Sequence, residues 1–115
     1  MNGNYAHFEA FATRSAPQEW IERGEDLMKR ELYERAAECF KNAGDDNREK
    51  IADAYQHYKN ARKKQLGSLA MNKELYQAAN KFLDVKMNKE AAKCLRISGQ
   101  LELATLIYEK GAKVL

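Results

Sequence analysis

The sequence predicts an all-α fold, an antiparallel helical-hairpin array of about six helices, and three observations carry that prediction. Apolar residues recur at steps of three and four through nearly the whole chain after residue 15, and the single proline stands at position 17, outside any helix interior. Twice the apolar stripe jumps in phase without changing its period, as it must where two helices are joined by a tight turn. The second half of the chain also repeats the first: at an offset of 55, Ala36, Ala37, Cys39 and Gly44 meet Ala91, Ala92, Cys94 and Gly99.

The elements follow in order. Ser15 stands three residues before Gln18 as a capping box, Pro17 suits a first turn, and the helix body carries Trp20, Gly24, Leu27 and Met28. Extending that stripe lands on Glu31, Glu34 and Glu38, whereas the apolar residues are Leu32, Tyr33, Ala36, Ala37 and Phe40, so the chain turns near Arg30. Gly44 ends the second helix, and Asp45 and Asp46 offer caps for the next. Asp46 with Glu49 reads as a second capping box, opening a helix with the stripe Ile51, Ala54, Tyr55, Tyr58 and Ala61 that runs to about Leu66.

From Ser68 or Leu69 a fourth helix reaches about Val85. Its stripe of Leu75, Ala79 and Phe82 projects onto Lys86, Lys89 and Lys93, but the apolar residues are Met87, Ala91, Ala92 and Leu95, so a second turn falls at Lys86 to Asn88. Gly99 closes the fifth helix, and the last, Gln100 to about Gly111, is apolar on several sides. The predicted organisation is a linker or loosely ordered segment at 1–14 and a helical domain at 15–115. Its hairpins lie at about 16–44 and 69–99, with an intervening helix at 46–66 and a final helix at 100–112.

A chain of 115 residues with a net charge of +3 is one domain or a piece of one. Two cysteines make neither a disulfide framework nor a zinc cluster, which points to a reducing intracellular setting, cytoplasmic or nuclear. No apolar run nears the ~18 residues of a membrane span, and no signal-peptide pattern opens the chain. Residues 1–44 are net acidic and the remainder net basic, an imbalance too modest to demand nucleic acid or an anionic membrane.

Catalysis needs convergent polar groups, and none is evident. His7 and His57 have no nucleophile or carboxylate at dyad spacing and read as solvent-facing. Cys39 and Cys94 read as small core hydrophobes, and Glu22, Glu25, Asp26 and Glu34 as a solvated helix face. No enzyme activity, metal or cofactor is therefore expected. The stretch Lys59, Arg62, Lys63 and Lys64 is the candidate for nucleic-acid contact, with Lys59 and Lys63 one turn apart on one face. Tyr55 and Tyr58 share the Ile51 stripe and so point inward, and basic residues suit a helix's last turn for dipole reasons alone.

Trp20-x3-Gly24 followed by Tyr33-x2-Ala36-x3-Phe40-x2-Ala43 resembles the tetratricopeptide (TPR) hairpin. Arg23 departs from the usual leucine, Leu27 from the common tyrosine, and the copy at 72–99 is weaker, with Asn88 in place of Tyr33. The offset exceeds the 34-residue TPR period by about one helix, which implies an interposed helix in a TPR-like α-solenoid. The resemblance places Ile21, Glu25, Met28 and Lys29 on a partner-binding face suited to a peptide or helix with an apolar stripe and some basic character. Ile21 and Glu25 do not match the carboxylate-clamp subtype.

The run Phe11-Ala12, Ser15-x-Pro17-x-Glu19-Trp20, Gly24, Tyr33, Ala36, Cys39-Phe40 and Ala43-Gly44 is similar to the helical region after the helicase part of large UvrD-like superfamily 1 proteins and of TPR and ankyrin repeat-containing proteins. That likeness implies an excised segment whose ATPase motifs lie elsewhere; no Walker loop occurs here. The expected function is non-catalytic protein–protein interaction or intramolecular scaffolding. The expected partner is a protein, a peptide or another domain of the parent chain, with self-association through the apolar last helix. The alternative is a nucleic-acid-binding accessory region using the basic helix at 46–66.

Overall fold

The computed structural model describes residues 17–110, all helix and turn: α1 (residues 17–29), α2 (Tyr33–Ala43), α3 (Asp46–Arg62), α4 (Leu69–Asp84), α5 (Asn88–Ile97) and α6 (Leu101–Lys110). The cap expected at Ser15, the segment 1–14 with His7, and the chain end beyond Lys110 lie outside the described residues. Two compact units form and divide after Glu49, so the first turn of α3 closes the first unit and the rest of α3 opens the second.

Both phase jumps are breaks in the helix, and all four hairpin helices end the same way. At the end of α1, the Leu32 N–H donates to the Leu27 carbonyl and the Glu31 N–H to Met28, both at 2.9 Å. At the end of α4, Met87 donates to Phe82 at 2.8 Å and Lys86 to Leu83 at 3.0 Å. Asp45 to Phe40 with Gly44 to Lys41 ends α2, and Gln100 to Leu95 with Gly99 to Arg96 ends α5. Each is a Schellman closure, which requires a left-handed residue at its hinge. Gly44 (φ 76°) and Gly99 (φ 91°) take that conformation freely, but Glu31 (φ 59°) and Lys86 (φ 64°) do not. The offset of 55 therefore holds in the backbone hydrogen bonds as well as in the side chains.

Two boundaries differ from the sequence prediction. The cap of α3 is Asp45, not Asp46: its Oδ1 accepts from the Arg48 N–H at 2.9 Å, one residue earlier than the Asp46–Glu49 box. The helix ends at Arg62 instead of near Leu66, which is 85% exposed and has no core contact to extend the helix for. Ser68 caps α4 through its Oγ, which accepts from Met71 N–H at 3.1 Å.

In the first unit, α1 and α2 meet at Gly24. A Cβ there would come within 2.7 Å of Phe40 Cζ and closer still to the ring edge, so the glycine is what admits the ring. The second unit reaches the same closeness differently. Ala79 stands at the glycine's position and the smaller Leu95 at that of Phe40, and both are buried in a core with Leu75, Phe82, Ala91, Ala92, Cys94, Ala104 and Ile107. Tyr55 of α3 packs edge-on against Phe82, ring centroids 5.0 Å apart.

Gly24→Ala should cost about 1–3 kcal/mol by overpacking, and Phe40→Leu in the same chain should recover much of that loss. Urea unfolding of the single and double variants measures the coupling. Lys86→Gly should raise stability by about 0.5–1 kcal/mol, because relief of the left-handed strain exceeds the entropy lost with an unfolded glycine. A lower midpoint for Lys86→Gly would contradict the hinge assignment.

Candidate functional site

Residues 21, 25 and 28 follow one another at helical spacing along α1, so Ile21 and Met28, both half-buried, and the exposed Glu25 share one face, with the exposed Lys29 beside it. Glu25 is oriented from α3: Arg48 Nε donates to its Oε2 at 3.2 Å while Arg48 Nη1 holds Asp45 Oδ2 at 2.6 Å. The backbone N–H of Arg48, followed by its guanidinium, keeps the Asp45 carboxyl below the usual carboxylate range. The same arginine is thus fixed at the helix start and presents Glu25 in a defined position.

Applying the offset of 55 to this face gives residues that sequence reasoning passed over, although the repeat was the signal that finds them. Tyr76 corresponds to Ile21 and Asn80 to Glu25. Both line a shallow groove of about 400 Å³ on α4 with Leu69, Asn72, Lys73 and Gln77. Leu69 is 86% exposed there, and the enclosed Oδ1 of Asn72 has no hydrogen-bond donor among the described residues. An unsatisfied acceptor of this kind costs about 1–3 kcal/mol. The counterparts of Met28 and Lys29 do not continue the surface: Leu83 is buried, and Asp84 takes Lys50 Nζ at 3.5 Å.

The basic stretch is less regular than its spacing suggested. Lys59 is half-buried, Arg62 is the last residue of α3, and Lys63 and Lys64 lie in the following turn, exposed, so Lys59 and Lys63 do not extend one helical face. The Arg62 guanidinium stands 5.8 Å over the Tyr58 ring and Lys93 Nζ 5.6 Å over the same ring. Tyr58 is thereby occupied by cations and Tyr55 by Phe82, as their place on the inner stripe predicts.

His57 is not solvent-facing. Its Nδ1 lies 2.7 Å from Glu74 Oε1 of α4, and each side chain is only 24% exposed. The partner is seventeen residues away on another helix, which local spacing does not reveal. A cavity of about 450 Å³ follows between α3, α4, α5 and α6, lined among others by Tyr55, Tyr58, Phe82, Lys93, Cys94 and Tyr108. Burial pushes the Cys94 thiol up to about 12 and also raises that of Cys39, so neither supplies a thiolate near neutral pH. Among the described residues no group of His, Cys, Asp and Glu is placed to hold a metal ion, and no helix is long and apolar enough to cross a membrane.

No family model and no solved structure matches the chain. Over 104 residues, 90% of its length, the chain is 26% identical to TPR and ankyrin repeat-containing protein 1 of Homo sapiens, and it spans 4% of that protein. This likeness and the all-helical, twice-built hairpin agree on a TPR-like repeat.

The Cys94 thiol ionises near 9.0 when unfolded and near 12 when folded, so its contribution to stability is complete below about pH 9 and drains away as pH rises toward 12. Cys94→Ala should show a shallower loss of stability over that interval in urea titrations. Equal slopes for the two proteins would contradict the buried, neutral thiol.

Proposed function

We propose that the chain is a non-catalytic protein-interaction module, and that each hairpin offers a partner face of its own: Ile21, Glu25, Met28 and Lys29 on α1, and the equivalent Tyr76 and Asn80 on α4. The observation that carries this reading is the recurrence itself. Ile21 and Tyr76 occupy the same position of two equivalently built hairpins, and both leave part of an apolar side chain in solvent. The human relative is named as a repeat-containing protein, which supports the same class of function. The partner is a peptide or amphipathic helix that buries an apolar stripe and brings basic residues to Glu25, with rim charges selecting its orientation.

The finer part of the reading places the chain inside a larger UvrD-like helicase parent, where the partner is another domain of the same protein and the ATPase motifs lie elsewhere. The residue run from Phe11 to Gly44 supports it. Leu101, Leu106 and Tyr108 remain exposed on α6, which offers that helix to a neighbour or to a second copy. A second reading, nucleic-acid contact by Lys59, Arg62, Lys63 and Lys64, is favoured by the exposure of Lys63 and Lys64 at the end of α3.

Basic amphipathic helices selected from a display library against the chain should weaken about tenfold on Ile21→Glu or Tyr76→Glu, the loss typical of a central apolar anchor. Binders indifferent to both substitutions would refute the assigned faces. Salt-sensitive binding to single-stranded DNA that disappears on reversing Lys59, Lys63 and Lys64 would instead support the second reading.

A further inference from the structure

The two hairpins repeat in backbone and core, yet one helix face is built with opposite charge in each. At the offset of 55, Lys89, Glu90 and Lys93 of α5 stand where α2 has Glu34, Arg35 and Glu38, so every sign is reversed around the identical alanine pairs Ala91-Ala92 and Ala36-Ala37. Helix formation does not call for this. Lys89 lies in the first turn of α5, where the helix dipole disfavours a cation, whereas Glu34 in the first turn of α2 suits it. The basic face of α5 therefore belongs to the second hairpin alone and not to the frame the two share.

That face borders the cavity of about 450 Å³, which lies wholly within the second unit. Lys89, Lys93 and Arg96 line it, all exposed, and follow one another at helical spacing over a rise of about 10 Å. From the end of α3 the Arg62 guanidinium joins Lys93 over the ring of Tyr58, a lining residue, at 5.8 and 5.6 Å. None of these four cations forms an ion pair among the described residues. The other walls are largely apolar. Buried Phe82 and Cys94 contribute, the Tyr55 ring stands edge-on to Phe82, and the exposed Tyr108 of α6 completes the lining.

We propose that this cavity binds an acidic peptide segment, with one large apolar side chain seated against Tyr55, Phe82 and Cys94 and carboxylates on either side of it received by Lys89, Lys93 and Arg96. A rise of about 10 Å matches about three residues of extended peptide, so an anchor with an acid before and after it spans the cationic row. A carboxylate gives Lys93 and Arg62 a charge-assisted hydrogen bond that the Tyr58 ring cannot. Glu90, the single carboxylate among the described lining residues, selects against an unbroken run of negative charge. A peptide with an uncharged anchor meets that condition; a phosphodiester chain, charged at every residue, does not. The lining includes none of the residues of the Ile21 and Tyr76 faces, and the ligand carries the opposite charge, so the inference does not rest on the partner reading above.

Fluorescence anisotropy of the full chain with a labelled short peptide, one phenylalanine between two runs of glutamate, tests it. Binding should saturate at low salt and weaken as salt rises. Lys93→Glu and Arg96→Glu, both at exposed positions that leave the core untouched, should each weaken it about tenfold. Replacing the peptide's phenylalanine with serine should cost as much. Lys41→Glu, the reversal equivalent to Arg96→Glu in the first hairpin, should change nothing. In amide spectra the peptide should shift Tyr58 and Cys94 and leave α2 in place. Absence of saturable binding, equal weakening by Lys41→Glu, indifference to the phenylalanine, or shifts confined to α1 and α2 would overturn the proposal. So would a single-stranded oligonucleotide of equal charge that binds more tightly and loses affinity on the same two substitutions.

Discussion

Each hairpin depends on one residue held in a conformation that its own side chain disfavours. Glu31 and Lys86 sit at the left-handed hinge of a Schellman closure, and its two backbone hydrogen bonds turn the chain back so that the next helix begins two residues later. An L-residue pays about 1–2 kcal/mol for that geometry. The compensation is the packing that the turn makes possible: Phe40 against Gly24 in one unit, and the buried cluster that holds Ala79, Phe82 and Leu95 in the other. Local strain and tertiary packing are parts of one device, used twice.

Much of this was legible in the sequence because it rests on periodicity. The jump of the apolar stripe located both turns, the identities at Ala36, Cys39 and Gly44 located the repeat, and the start of α4 fell at Ser68 or Leu69, although the Ser68 cap itself was not read. What escaped was decided by geometry beyond one helix. Asp45 and Asp46 are equivalent as letters, and backbone direction alone determines which carboxylate reaches an N–H. The apolar residue at Leu66 reads as a continuation of α3, yet nothing packs there. His57 reads as solvent-facing because its carboxylate arrives from another helix. The partner face of α4 escaped for a simpler reason: the hairpin signature is stronger in the first copy, and Tyr76 and Asn80 are visible only when the second is laid upon it.

Among the described residues the charged groups lie at the surface and the core is apolar. The thiols are buried and neutral, no buried polar or charged residue occupies the described core, and the ion pairs sit at the periphery, where each contributes little on its own. Arg48 stands apart because it bridges a helix cap and Glu25, linking the start of α3 to the face of α1. Orientation at that surface is therefore set by the same contacts that begin the next helix.

The reciprocal sizes at Gly24 with Phe40 and at Ala79 with Leu95 limit how such a chain can be recombined. Transplanting α1 into the second hairpin would set a glycine against leucine and open a void, and the converse graft would drive a methyl group into a phenyl ring. Anyone building longer arrays from these modules must therefore exchange helices as matched couples, since the two seams share one outline but are cut to different patterns.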